Sequence, residues 1–279
     1  MNEVIVATIG ATTTLSGILL THFLKERSYK KRQDKKSPEE NETHKNKAHL
    51  QKLLTFKKNT FTVSVPDYKV KIYDKDRPAI LPEEATLMQK VIHALTKKGL
   101  EYKSFCRTDN DSDEIHLGSS IANFDTAVLL RDYHPDFKYV IPKFTESKYP
   151  NYNDSTYGEA IRSTVKTIDT DNEKEKYIVY GEKAFRDAES YAVIAKLTSV
   201  NTSHTAYLLF GLDGAGTNVA VDFFIKRHAK LYEEYEENPY FIVVPVTKTL
   251  EKWSGKIKGR TAYHLQKNGT FEPRTLPDI

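Results

Sequence analysis

Cysteine occurs once in the 279 residues, at Cys106, so no intramolecular disulfide can form and the fold must rest on burial alone. A lone thiol with no base assignable to it reads as a small buried hydrophobe rather than a nucleophile. The lack of cystines agrees with a cytoplasmic setting. Excess charge is also missing from most of the chain, although the net charge is +4. Seven cations lie between Lys25 and Lys36, opposed only by Glu26 and Asp34, and the residues from Ser37 to Ile279 balance to zero. A domain without cationic excess has no electrostatic footprint for a phosphate backbone, so nucleic acid is not an expected partner.

Familiar chemical motifs are missing too. There is no GK[ST] of a phosphate loop, no GxGxxG, no HExxH, and no cysteine–histidine or nucleophile–base spacing that could be read as a catalytic pair. Asp109, Asp111 and Asp113 imitate the first three ligands of a calcium loop, but Glu114 stands where its turn needs glycine and Ser120 where it needs a bidentate glutamate. The segment is read as a solvated loop, and no metal is expected. His116 and His204 sit within or at the ends of strands and receive no chemical role.

What the chain does have begins at its amino end. Val4 to Leu24 runs without Asp, Glu, Lys or Arg, and at about 1.5 Å per residue a helix of that length spans the hydrocarbon of a bilayer. A cleaved leader would carry a basic start and a small-residue cleavage site, whereas Glu3 precedes this run and Phe23, Leu24 and Lys25 end it. The reading is a single transmembrane anchor over residues 1–24. Cations cluster after the span, so the N-terminus should face out and the rest should lie in the cytoplasm, with Lys25 to Lys36 against anionic headgroups. Ala7, Gly10, Ala11 and Gly17 leave room for a second helix, which would permit a homo-oligomer.

Residues 25–60 form this basic segment and a polar tether, and a soluble α/β domain is expected over residues 61–279. FTVSV and KVKIY flank Pro66 as a small hairpin. Pro82 opens a helix with Glu83 and Glu84 at its positive end, Leu87, Met88, Val91, Ile92 and Leu95 form its apolar stripe, and Gly99 closes it. From Pro142 to Glu189 the pattern is turn-rich, with one strand at KYIVYG. YAVIAKLTSV and TAYLLFGL form an antiparallel hairpin, a helix follows LDGAGT, YFIVVPV closes the sheet, and the tail from Lys258 shows little pattern. The core of this mixed sheet with flanking helices draws on 17 Tyr and 13 Phe.

Two places share one construction: an apolar strand, a glycine turn, a polar cap and a helix. In the first, Ile115 to Gly118 leads through Ser119 and Ser120 to Asn123, and the helix starts near Phe124. In the second, Leu208 to Gly211 leads through Asp213, Gly214, Gly216 and Thr217, and the helix starts near Asn218. Glycine lets backbone approach a ligand, and a helix N-terminus offers unpaired N–H groups and positive potential, so an anion is welcome there. Both turns should lie at the carboxyl edge of the sheet, where α/β folds bind ligands. The candidate binding residues are Gly118, Ser119, Ser120, Asn123, Gly211, Asp213, Gly214, Gly216, Thr217 and Asn218. A purely structural origin of such turns is the competing explanation.

The run LGSSIANFDTAVLL, then YAVIAKL, then LLFGLDGAGTNVAVDFF resembles an uncharacterised bacterial family in which a strand ending in glycine with a nearby asparagine is followed by a GLxGxGTxxA turn. The resemblance covers about Glu114 to Val246 and implies a Rossmann-like, three-layer domain; it implies no particular substrate. The expected function is a membrane-anchored module binding a nucleotide or other phosphorylated small molecule. The alternatives are a nucleotide or glycosidic-bond hydrolase using Asp213, Glu182 or Glu189, and a tethered scaffold without ligand.

Overall fold

The structure is a computed structural model and describes residues 60–66, 68–72, 75–103, 112–143, 158–172, 175–198, 205–251 and 253–276. The chain divides after Ala48, and every described residue belongs to the unit His49–Ile279. Among the described residues no helix is long and apolar enough to cross a membrane. The expected span Val4 to Leu24 lies outside them, as do the basic segment Lys25 to Lys36, Cys106, Asp109, Asp111 and His204.

A nine-stranded mixed sheet forms the centre. Its parallel half consists of β1 (Thr60–Ser64), β4 (Glu101–Tyr102), β5 (Asp113–Leu117) and β11 (Thr205–Gly211), in the spatial order β4-β1-β5-β11. The chain leaves β1 through the helix α1 (Pro82–Thr96), returns on one side of β1 as β4, then crosses to the other side as β5. The direction of winding thus reverses beside β1, which opens a crevice at the carboxyl ends of these strands. Beyond β11 the neighbours are antiparallel: β10 (Ser190–Thr198), β12 (Tyr240–Lys248), β14 (Thr261–Leu265) and β15 (Phe271–Thr275), with β13 (Gly255–Ile257) pairing the end of β12.

The apolar runs of β10, β11 and β12 follow from burial on both faces. Ala192 and Ile194 join Tyr207, Leu209, Ile242 and Val244 in one core, against α1 and the long helix α4 (Gly214–Tyr235). Tyr191, Val193, Leu208, Phe210, Phe241 and Val243 face the other way. There they meet α2 (Phe124–Tyr133), α3 (Gly158–Thr164) and a four-stranded sheet. That sheet is ordered β7 (Val165–Ile168), β6 (Phe137–Pro142), β8 (Tyr177–Tyr180) and β9 (Lys183–Phe185). Rings fill this second core, with Phe137 edge-on to Tyr139 at 5.1 Å and to Phe210 at 5.5 Å.

Several expectations change. FTVS does not form a hairpin with KVKI: β1 pairs in parallel with β4 and β5, and KVKI belongs to β2 (Tyr68–Ile72), which pairs with β3 (Lys75–Ala79). Asp113 is not solvated; it is fully buried at the start of β5, where Oδ1 accepts the Thr205 N–H at 2.5 Å. The tail after Lys258 contributes two strands, β14 and β15, which extend the sheet past β12. The helix of the second turn begins at Gly214, four residues before Asn218.

Candidate functional site

The first turn follows β5. Gly118 has φ 93°, a conformation that favours glycine, and a Cβ there would lie 2.7 Å from Pro66 Cγ. Its N–H donates to Leu209 O at 3.2 Å, so the turn is clamped against the end of β11. Ser119 O accepts the N–H groups of Ala122 and Asn123 at 3.0 and 2.8 Å. Asn123 then caps α2 by accepting from the backbone of Asp125 and Thr126, while its amide donates to Leu117 O at 2.9 Å. Thr164 donates to the Ser120 hydroxyl at 2.9 Å, tying the same turn to α3.

The second turn follows β11, with the Leu212 N–H donating to Tyr191 O at 2.9 Å. Asp213 is the N-cap of α4: its Oδ1 accepts the Gly216 N–H at 3.1 Å and the Ser190 hydroxyl at 2.7 Å, and its Oδ2 lies 2.6 Å from Lys248 Nζ. A Cβ on Gly211 would meet Gly216 C at 2.3 Å, and one on Gly216 would meet Tyr191 O at 2.2 Å. A Cβ on Gly214 would strike the Trp253 ring, also at 2.3 Å. Protein atoms therefore already occupy the space these glycines leave, and their smallness lets α4 press onto β10 and β11. Asn218 looks the same way, its amide donating to Trp253 O at 2.9 Å.

The two turns are neighbours, because β5 and β11 pair with Leu117 opposite Leu209. They open into one cleft of about 1450 Å³. Gly118, Ser119, Gly211, Asp213, Gly214 and Thr217 line it. Ser120, Asn123, Gly216 and Asn218 do not; each holds an element in place behind it. Neither His116 nor Glu182 lines the cleft either: His116 is buried beside Glu114, with 2.8 Å between Nε2 and Oε2, and Glu182 sits at the β8–β9 turn. Glu189 does line it, accepting the Lys248 N–H at 2.6 Å.

No family model, curated protein or solved structure matches this chain.

The cleft also contains groups that the two motifs did not signal. Trp253, the single tryptophan of the chain, has φ 62° and lies over the first turn of α4. Elsewhere in its lining, the Arg186 guanidinium stacks on the Tyr177 ring at 3.8 Å. Lys176, Arg186, Lys248 and Lys256 supply positive charge, opposed by Glu84, Glu175, Glu189, Asp213 and Glu251. The cleft is close to neutral and rich in opposite charges. Behind its wall the Tyr191 hydroxyl donates to Asp187, holding that carboxyl below the usual carboxylate range, while burial pushes the Tyr191 phenol up. The lone tryptophan in a polar stretch was the one sequence signal that could have pointed here; strand pairing brought in the others. Among the described residues no group of three or more His, Cys, Asp or Glu is placed to hold a metal.

Asp213→Ala should lose about 1–2 kcal/mol of stability, because it removes a helix cap and a hydroxyl partner together. Urea denaturation measures this directly. Unchanged stability would show that the cap contributes nothing.

Proposed function

We propose that the cleft binds a nucleotide or another phosphorylated small molecule. On this reading the domain is a Rossmann-like three-layer fold acting as a sensor or effector module, carried at the cytoplasmic face of the cell membrane by the span Val4 to Leu24. The observation that carries the proposal is the meeting of both glycine turns in one cleft beside the reversal of strand order. A nucleotide needs a flat apolar surface and an anion site. The Trp253 indole and the Arg186–Tyr177 stack provide the first. The amino end of α4, whose first N–H groups have no acceptor within the helix, provides the second together with Lys248 and Lys256. Binding is favoured over hydrolysis because Asp213 is engaged by Gly216, Ser190 and Lys248 and is not poised as a base.

Trp253 gives the test an internal reporter, since all tryptophan emission of the full chain comes from the cleft. Adenine and guanine nucleotides, nicotinamide dinucleotides and sugar phosphates are titrated in turn. At least one class should change the emission saturably, and Ser119→Phe, which fills the space beside the first turn, should weaken it by about tenfold or more, equivalent to about 1.4 kcal/mol. If no class changes the emission, or if Ser119→Phe binds as tightly as the parent, the site is not a ligand site and the turns are structural.

A further inference from the structure

A second cavity lies on the flank of α4. Val219, Asp222, Phe223, Lys226 and Arg227 are spaced three, four, seven and eight residues from the first, so they form one helix face. This face meets β13 and the turn at Gly259 and Arg260 around a cavity of about 430 Å³. Its floor is apolar, with Val219, Phe223 and Leu276 buried. Four cations, Lys226, Arg227, Lys256 and Arg260, line it among the described residues beside one described carboxylate, Asp222, which Lys90 already pairs. Lys226 and Lys256 form no ion pair with a described residue. Arg227 is 8% exposed, and its guanidinium lies 5.3 Å from the centre of the Phe223 ring, so one of the four cations is held in a poorly hydrated place.

Cations gathered around a cavity of this size sit within a Debye length of one another, about 10 Å at 0.1 M salt, so their fields add. A doubly charged anion would be drawn into that field, and guanidinium groups match the oxygens of a phosphate. The apolar floor gains only if the ligand brings carbon with it. We propose that this cavity is a second ligand site, for a phosphate monoester bearing an apolar or aromatic group. Lys256 also lines the larger cleft, whereas Lys226, Arg227 and Arg260 belong to this cavity alone. Such a group could come from a lipid headgroup or from a free phosphorylated metabolite.

The full chain, kept in zwitterionic detergent, is titrated calorimetrically with phenyl phosphate, inorganic phosphate and dihexanoyl phosphatidic acid. Phenyl phosphate should show a saturable site that persists in Lys248→Ala and binds it more tightly than inorganic phosphate. Lys226→Ala combined with Arg260→Ala should weaken it by about tenfold or more while the thermal midpoint holds. The exchange Lys226→Arg with Arg260→Lys should restore it. Lys248→Ala, which alters only the larger cleft, should leave it unchanged. Phosphatidic acid binding tighter than phenyl phosphate assigns the site to lipid, and comparable binding assigns it to a metabolite. Absence of saturable binding, an affinity indifferent to the double alanine variant, or loss in Lys248→Ala instead would overturn the proposal.

Discussion

A Gly216→Ala chain is expected to lose about 3 kcal/mol or more of unfolding free energy, with much of its soluble yield. The added methyl would sit 2.2 Å from the Tyr191 carbonyl and 3.0 Å from Gly211 Cα. Both are backbone, so no rotamer change relieves the clash, and α4 must lift from β10 and β11. That movement would open the core where Val219, Ala220 and Phe223 pack. Gly214→Ala is the informative contrast. There the methyl meets the Trp253 ring at 2.3 Å, and a side chain at the cleft edge can swing away. Its cost should stay near 1 kcal/mol, and the emission of Trp253 should shift. Equilibrium denaturation of both variants separates the cases. A Gly216→Ala chain within about 1 kcal/mol of the parent would mean that the contact between helix and strand is loose.

This contrast bears on how glycine turns should be read. Gly211, Gly214 and Gly216 were singled out as places where backbone could approach a phosphate, yet what approaches them is the protein itself. The proposed anion site rests instead on the first-turn N–H groups of α4 that Asp213 leaves uncapped, on Lys248 and Lys256, and on the crevice that strand order creates.

Local signals carried the parts of the fold that are local. Pro82, Glu83, Glu84 and Gly99 bracket α1 as expected, Asn123 caps α2, and YAVIAKLT pairs with TAYLLFG as an antiparallel hairpin. Pairings distant in the chain were not legible. Val63 lies opposite Ile115, some fifty residues on, so β1 was assigned to a nearer neighbour. β14 does alternate, with Ala262 and His264 buried between half-exposed residues, but its polar composition hid the pattern. β15 carries Pro273, which suits an outermost strand and weakens a strand signal. The cleft shows the same division. Its turns were visible as motifs, whereas Trp253, Arg186 and Tyr177 reach it only through the pairings of β12 with β13 and of β8 with β9.

Acid should destabilise this domain well before its carboxylates account for the loss, and two buried histidines are the reason. His134 lies against Phe241 and Tyr180, with Nδ1 2.9 Å from the Tyr180 hydroxyl, and burial lowers its pKa to about 4. His264 stacks on Tyr235, with Glu234 3.5 Å away, and burial followed by the charge of Arg274 lowers it to about 4 as well. An unfolded histidine titrates near 6.5, so between about pH 6.5 and pH 4 the unfolded chain takes up two protons that the folded chain refuses. Stability is therefore complete above that window, falls as the pH drops through it, and loses nothing more from these groups below it. Discounted for relaxation and water entry once a ring is charged, each contributes about 2 kcal/mol to the fall. Because carboxylates titrate over part of the same range, the measurement must be a difference. From about pH 7 to about pH 4.5, a chain carrying His134→Gln and His264→Gln should lose less stability than the parent by about 2 kcal/mol or more. Parallel curves for the two chains would show that neither ring resists protonation, and the acid sensitivity would then belong to the carboxylates.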